Sequence, residues 1–170
     1  MPPRRPATAL ERAMRLLSVR ALTAGELRAK LLRAGFPPDE VDAAVGECEK
    51  RHYLDDRTFA EDCTKLWLER GHGARSIRFK LRQHGVPAEF AAEALSDSEA
   101  EEPAAACRAV DGKLPSLLRE NDPRKRRAKA LRFLAARGFS GAALSAAMKH
   151  LTEAVASMGG EDGDDMPPKA

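Results

Sequence analysis

The sequence predicts an all-α protein made of three tandem three-helix (helix-turn-helix-like) repeats. Ala, Leu, Arg and Glu dominate the composition, and the runs of β-branched residues that favour strands are absent. A leucine followed four residues later by a glycine, and then by a large apolar residue, occurs three times, with the glycines at Gly35, Gly85 and Gly138. Spacings of 50 and 53 residues are typical of repeat proteins. Since one such repeat buries only a small core alone, we expect stacking into an elongated, curved array.

The first repeat is predicted over residues 9–52, after a basic tail over 1–8 that we expect to be disordered. Thr23 and Glu26 have the spacing of a capping box and predict the start of the second helix. Gly35, in the left-handed conformation, is expected to end it. The residues predicted to face the core are Leu10, Ala13, Leu16, Leu17, Leu27, Leu31, Leu32, Val41, Ala44, Val45 and Cys48.

The second repeat is predicted over residues 53–96 by the same plan. Asp55 or Asp56 caps its first helix, and Gly73 stands where Thr23 stands in the first repeat. We interpret Trp67 as a core residue and not as a base-stacking platform. The predicted core residues are Phe59, Ala60, Cys63, Leu66, Trp67, Ile77, Leu81, Phe90, Ala94 and Leu95.

An acidic linker over residues 97–103 leads to the third repeat, over residues 104–153. Gly112 and Pro115 interrupt the pattern of its first helix, so a kink or a break is expected there. Asp122 caps the next helix. The predicted core residues are Ala106, Cys107, Val110, Leu114, Ala130, Leu131, Phe133, Leu134, Leu144, Ala147, Met148 and Leu151. Residues 154–170 are expected to form a disordered acidic tail.

Charge is distributed unevenly along the chain, although the formal net charge is only +3. Residues 1–35 contain eight basic and two acidic side chains, residues 36–63 contain three and nine, and residues 122–137 contain seven and one. Separate basic and acidic surfaces suit a polyanionic partner, although ordinary solvated helices would give similar counts.

No residue pattern typical of an enzyme, a metal site or a cofactor site is present. The three cysteines are odd in number and lack metal-ligand spacing, so we expect buried, reduced thiols in a cytoplasmic protein. Asp55 and Asp56 are adjacent carboxylates, but no histidine or nucleophile accompanies them, and helix capping is the better interpretation. No stretch reaches the roughly 18 apolar residues of a membrane span, and residues 1–6 lack the apolar core of a signal peptide.

Several sequence blocks together resemble the RecX family of bacterial regulators of the RecA recombinase. The blocks are Tyr53-Leu-Asp-Asp-Arg-Thr-Phe-Ala60, Trp67-Leu-Glu-Arg70 and Arg132-Phe-Leu-Ala-Ala-Arg-Gly-Phe139, with Gly73, Ile77, Leu81, Gly85 and Val86 between them. The resemblance extends over roughly residues 9–151, and its specificity lies in the order and spacing of the blocks. Gly112–Pro115 departs from the family pattern, which has an unbroken helix there.

The resemblance implies tandem three-helix repeats and a non-enzymatic protein. Such a protein lodges in the groove of RecA filaments on DNA and limits filament growth, strand exchange and RecA's ATPase and coprotease activities. It would act in DNA repair, homologous recombination and the SOS response, as a cytoplasmic monomer with RecA and DNA as partners and no membrane contact. The alternative is a stand-alone DNA-binding protein of helix-turn-helix-like units that acts without RecA.

Thirteen basic residues are candidates for contact with the filament or its DNA. Basic residues at equivalent positions in the first two repeats predict a stripe along one side of the array. A further run lies at a helix N-terminus, where positive charge opposes the helix dipole and a partner would offset that cost. Ordinary helix solvation is the alternative for both sets. The candidates are Arg28, Lys30, Arg33, Arg75, Arg78, Lys80, Arg82, Arg124, Lys125, Arg126, Arg127, Lys129 and Arg132.

Overall fold

The computed structural model describes residues 7–159, and all regular elements in that range are helical. In chain order they are α1 (Ala9–Leu17), α2 (Ala24–Arg33), α3 (Pro38–Lys50), α4 (Asp56–Glu69), α5 (Ala74–Gln83), α6 (Ala88–Asp97), α7 (Glu102–Leu118), α8 (Pro123–Ala136) and α9 (Gly141–Gly159). The acidic linker contains a single 3-10 turn, Glu99–Glu101. The predicted all-α class with three tandem three-helix repeats is confirmed. Residues 1–6 and 160–170 of the two predicted tails lie outside the described residues. Thr8, which was predicted to be disordered, instead caps α1.

The recurring glycine ends the second helix of each repeat, as predicted. Gly35, Gly85 and Gly138 have φ angles of 89°, 75° and 89°, in the left-handed region that glycine enters without steric cost. In each copy the amide of the following apolar residue donates to the carbonyl of the motif leucine, at 3.3, 3.1 and 3.1 Å in chain order. This bond closes the helix end, so the motif is a C-terminal cap that fixes where the next helix begins.

The helices form two compact units. Unit 1 contains the chain up to Lys65 together with Arg78–Asp97, and unit 2 contains Leu66–Ile77 together with the chain from Ser98. Helices α4 and α5 therefore each contribute residues to both. The boundary lies inside the second predicted repeat, and the residue boundaries of the predicted domains stay predictions.

The core of unit 1 is built mainly from α1, α2 and α3. Leu27, Leu31 and Val41 are fully buried, and burying a leucine or valine side chain stabilises a fold by about 1.5–3 kcal/mol. Partly buried leucines of α1 pack against this cluster. The other buried members are Ala9, Ala13, Leu22, Ala44, Val45, Cys48 and Leu54.

In unit 2, α7 packs along α9, and α8 contacts both. Alanines on the facing sides let the helices approach closely. His150 Nε2 lies 2.6 Å from Asp111 Oδ1 and so joins the two long helices at their surface. The buried side chains of these three helices are Ala105, Ala106, Val110, Leu117, Ala130, Leu134, Ala143, Ala147, Met148 and Leu151.

The predicted break in α7 is wrong, because the helix is continuous from Glu102 to Leu118 with Pro115 inside it. Buried side chains before and after the proline, Val110 and Leu117, belong to one core. Their packing offsets the backbone hydrogen bond that proline cannot donate. A basic side chain of α8 also supports this end, since Lys129 Nζ donates to the Ser116 carbonyl at 2.6 Å.

Three other sequence predictions need correction. Helix α9 continues to Gly159, because apolar residues at helical spacing follow Leu151, so residues 154–159 are not a disordered tail. Leu32 and Leu66 are 44% and 41% exposed, not buried. In α4 the inward row is spaced four residues apart and consists of Ala60, Thr64 and Leu68.

Candidate functional site

In unit 1, the glycine turn of the second repeat packs on the first turn of α2. A Cβ atom added to Gly25 would lie 3.2 Å from the Cα of Gly85, so the two backbones are in close contact. Thr23, which is fully buried, accepts from the Glu26 amide at 3.0 Å and donates to the carbonyl of His84. The helix cap is therefore also a contact between repeats.

The adjacent carboxylates Asp55 and Asp56 cap two different helices. Asp55 Oδ1 accepts from the Thr58 amide of its own helix at 2.9 Å, and this bond lowers the pKa of Asp55. Asp56 Oδ1 accepts from the Ala24 amide of α2 at 2.8 Å, while burial raises the pKa of Asp56. Capping was predicted, but the second cap joins repeats and was not anticipated.

Unit 2 repeats this arrangement between the second and third repeats. The Gly73 amide donates to the Arg137 carbonyl at 2.8 Å, beside the glycine turn at Gly138. Glu102 Oε1 accepts from the Ala74 amide at 2.7 Å, as Asp56 does for α2. The Arg137 side chain also bonds the carbonyl of Arg70 at 3.0 Å. The glycine turns are thus contact surfaces as well as helix ends.

Glu26 does not complete the predicted capping box. Its Oε1 lies 2.9 Å from His84 Nδ1, and its Oε2 lies 3.3 Å from the Arg20 guanidinium. The complete box is at α1, where Thr8 and Glu11 bond reciprocally. Glu26 is drawn away because a histidine 58 residues along the chain comes within its reach.

A basic cleft of about 350 Å³ opens in unit 1 beside this contact. Two predicted candidates, Lys30 and Arg33, line it, and neither pairs with a carboxylate of the described chain. Among the described residues that line it, Glu26 is the one acidic group, and it already contacts Arg20 and His84. The lining residues are Arg20, Gly25, Glu26, Ala29, Lys30, Arg33, Gln83, His84 and Gly85.

Helix α5 presents a second group of candidates. Arg78 and Arg82 are exposed, and the guanidinium carbon of Arg82 lies 5.3 Å from the centre of the Phe79 ring. Phe79 is itself 50% exposed. Lys80 is half-buried. Arg75, at the start of α5, is exposed, and its amide donates to the Gly138 carbonyl at 3.3 Å.

The third group lies on α8, which begins one helical turn earlier than the corresponding helices of the other repeats. Helix α8 has 14 residues, whereas α2 and α5 have 10 each. The additional first turn begins at Pro123 and is capped by Asp122, which accepts from the Arg124 amide at 2.8 Å. The exposed basic side chains on α8 are Arg124, Lys125, Arg127 and Arg132.

Several of the predicted candidates already have partners within the described chain. Arg126 Nε donates to the Glu120 carbonyl at 3.0 Å, just after the C-terminal end of α7, where Lys129 bonds the Ser116 carbonyl. Arg28 Nε bonds Asp42 Oδ1 at 2.9 Å on the surface. The structure thus distinguishes Arg126 and Lys129, which bond backbone carbonyls at the end of α7, from cations that face solvent.

Sequence reasoning missed Arg20 and Phe79 as site residues. The signal for Phe79 was available, since it lies six residues before the motif glycine, where the other repeats have Ala29 and Arg132. Its neighbours Ile77 and Leu81 are fully buried, so a phenylalanine between them points away from the core. No local sequence pattern marks Arg20 as a site residue, because only the tertiary structure brings it to the cleft.

Within residues 7–159, no group of three or more His, Cys, Asp or Glu side chains is arranged to hold a metal ion. No described helix combines the length and the apolar character needed to cross a bilayer. All three thiols are free, but the prediction that all are buried is wrong, because Cys63 and Cys107 are only partly buried and Cys48 alone of the three is buried. Burial is still the largest cause of the raised pKa of each thiol.

Family models place three successive domains on this chain. The first, second and third three-helix domains of RecX match residues 9–48, 55–95 and 100–148. The chain belongs to the RecX family. The matched segments coincide with α1–α3, α4–α6 and most of α7–α9, so the helix grouping seen in the structure is the family's own.

Curated relatives and solved structures agree with this assignment. The chain is 37% identical over 147 residues to the Regulatory protein RecX of Chromohalobacter salexigens, covering 86% of this chain and 95% of the relative. It is 38% identical over 139 residues to that of Thermus thermophilus, covering 81% and 89%. The crystal structure of RecX from Lactobacillus salivarius has the same fold, with a TM-score of 0.77 at 17% identity, over 85% of this chain and 95% of that one. The relatives are named as regulatory proteins.

Proposed function

We propose that this RecX-family protein binds RecA nucleoprotein filaments in the cytoplasm and limits the recombinase, ATPase and coprotease activities of RecA. The observation that carries this proposal is the match of all three three-helix domains, in order, to the family. Relatives that this chain covers almost completely are named regulatory proteins, which supports a role in regulation and not in catalysis.

The distribution of charge supports a nucleoprotein partner. Lys30 and Arg33 line an open cleft, and the N-terminal part of α8 adds Arg124, Lys125 and Arg127. Cations at a helix N-terminus oppose the helix dipole, so this turn lowers the stability of α8 unless an anion approaches it. Phosphates of filament DNA, or acidic side chains of RecA, would supply that anion.

The test is a titration of the purified full-length chain into RecA filaments assembled on circular single-stranded DNA, with ATP hydrolysis as the readout. We expect inhibition at fewer than one molecule per RecA protomer. Absence of inhibition at every ratio would overturn the proposal. RecA-stimulated cleavage of a repressor substrate provides a second readout that does not depend on ATP turnover.

The exposed cations also favour a second candidate function, a DNA-binding protein that acts without RecA. Its test uses fluorescence anisotropy with bare duplex DNA, bare single-stranded DNA and RecA-coated DNA at the same salt concentration. Equal or stronger binding to bare duplex, together with unchanged RecA activity, would favour this alternative. Preference for RecA-coated DNA would favour the first.

A further inference from the structure

We propose that the basic cleft of unit 1 and the adjacent ring of Phe79 form a binding site for single-stranded DNA. In this site the cleft holds a backbone phosphate and the ring stacks on an unpaired base. The inference deepens the proposed function, because it names a nucleic-acid contact that such a regulator would use. The site lies wholly in unit 1.

The ring of Phe79 is accessible and is held beside positive charge. Half of the side chain is exposed, and the Arg82 guanidinium lies 5.3 Å from the ring centre. One exposed apolar side chain needs no explanation by itself. Here, however, it lies on α5 with Arg78 and Arg82, and an aromatic face among cations is the usual platform for unpaired bases.

The cleft supplies two cations that have no carboxylate partner among the described residues. Lys30 and Arg33 have no carboxylate partner within the described chain, whereas Glu26 Oε2 already lies 3.3 Å from the Arg20 guanidinium. A phosphate entering the cleft therefore meets two available positive charges and no uncompensated negative one. The close packing of Gly25 on Gly85 forms one wall, so the cleft depends on the contact between the two repeats.

Helix α5 connects the two parts of the site. Gln83 lines the cleft and follows Phe79 by four residues, so both lie on the same face, with about 5–6 Å between their Cβ atoms. A strand whose phosphate occupies the cleft therefore brings a base within reach of the ring. Duplex DNA does not fit this arrangement, because its bases are already stacked on each other.

The experiment measures anisotropy of a labelled oligo(dT) with the full-length chain and no RecA, beside an abasic oligonucleotide of equal length. We expect Phe79→Ala to weaken oligo(dT) binding by about 5- to 150-fold and to leave abasic binding unchanged. Phe79→Trp should keep the affinity, and Phe79→Leu, which is apolar but cannot stack, should behave like the alanine variant. Tyr53→Ala is the matched control, because Tyr53 is 51% exposed in the same unit.

The phosphate contact is tested by salt dependence. Lys30→Ala with Arg33→Ala should weaken binding to both oligonucleotides and reduce the slope of log affinity against log salt by about 1.4. Lys50→Ala with Lys65→Ala removes the same charge from exposed lysines outside the cleft and should leave the slope unchanged. An equal change of slope in both double variants would overturn the phosphate site.

Two further outcomes separate this inference from the proposed function. If Phe79→Ala and wild type bind oligo(dT) equally while inhibition of RecA is lost, Phe79 contacts protein and the DNA site is wrong. If oligo(dT) binding depends on Phe79 but the wild-type chain never inhibits RecA, the DNA site stands and the proposed function fails. Circular dichroism of each variant establishes that the helices are retained.

Discussion

Gly73 and Gly138 touch through their backbones in unit 2. A Cβ atom on Gly73 would lie 2.5 Å from the carbonyl carbon of Gly138, a distance that real Cβ contacts do not reach. The related pair in unit 1, Gly25 and Gly85, is looser, because a Cβ atom on Gly25 would lie 3.6 Å from the carbonyl carbon of Gly85. The second and third repeats are therefore joined at a point where no side chain fits.

We expect Gly73→Ala to lower the free energy of unfolding by about 1–3 kcal/mol or more, because the backbones must separate. Urea denaturation followed by circular dichroism measures the loss. Gly112→Ala is the matched control, since Gly112 lies inside α7 and a Cβ there meets nothing within 4 Å. The free energy of unfolding of that variant should rise by about 0.5–1 kcal/mol. Equal stability of the two variants would contradict the proposed close contact.

The hydroxyl of Thr23 serves two partners from a fully buried position. Thr23→Ala removes the cap from the Glu26 amide and leaves the His84 carbonyl without its donor, so we expect a loss of about 1–2 kcal/mol. Thr23→Ser keeps the hydroxyl and should lose less than about 1 kcal/mol. The measurement is again urea denaturation. A serine variant as unstable as the alanine variant would show that the methyl group, and not the hydroxyl, matters.

The sequence was sufficient to predict the helix ends that depend on local chemistry. The turn at Gly85 needs only a residue that accepts positive φ and an amide that returns to the carbonyl of Leu81, and six consecutive residues contain all of it. The core faces followed from helical spacing for the same reason. Leu66 was misplaced because Leu66 and Leu68 both fit an apolar stripe, and only tertiary packing decides between them.

The contacts between repeats were not predictable, because local and distant partners compete for the same groups. The spacing of Thr23 and Glu26 fits a local capping box, yet Glu26 turns to His84. Asp56 has the position of a cap for its own helix, yet it caps α2. The same limit applies to predicting the candidate site from the sequence. Its cations were visible as charges, but sequence alone could not distinguish Lys129, which bonds a carbonyl, from the exposed Lys125.

The contributions of Asp55 and Asp56 to the free energy of unfolding should change with pH in opposite directions. The folded pKa of Asp56 is raised by burial, so its ionised form lowers stability as pH rises from about 3.8 through that folded pKa. Asp56→Asn keeps an acceptor for the Ala24 amide without the charge. The free energy of unfolding of the variant should therefore rise relative to that of wild type over this pH window, and the difference should persist at neutral pH.

Asp55→Asn is the matched control. The folded pKa of Asp55 is lowered by its bonds to Thr58, so its contribution is present above about pH 3.8 and is lost as pH falls through the folded pKa. That variant should be less stable than wild type at neutral pH, and the difference in stability should shrink as the pH falls. Urea midpoints from pH 3 to 7 provide both curves. Parallel curves for the two variants would refute the separate roles of the carboxylates.

Some cations of α8 bond within the fold and others are exposed, and substitutions in the two groups should have different effects on stability. Lys129→Met removes the bond to the Ser116 carbonyl and should lower stability by about 1–2 kcal/mol. Replacing Arg124, Lys125 and Arg127 together with alanine should leave stability unchanged or raise it by a few tenths of a kcal/mol, because cations leave a helix N-terminus. Urea denaturation measures both effects.

The same triple variant should weaken duplex DNA binding and reduce the slope of log affinity against log salt by up to about 2.7, if all three side chains contact phosphate. Anisotropy at several salt concentrations measures the slope. The charge-matched control replaces Arg15, Lys50 and Lys65, which are exposed on other helices of the described chain. Lys129→Met should change the slope by less than about 1, because its ammonium group is held by a carbonyl. A control slope that falls as far as that of the triple variant would show that the α8 turn has no specific role and that only net charge matters.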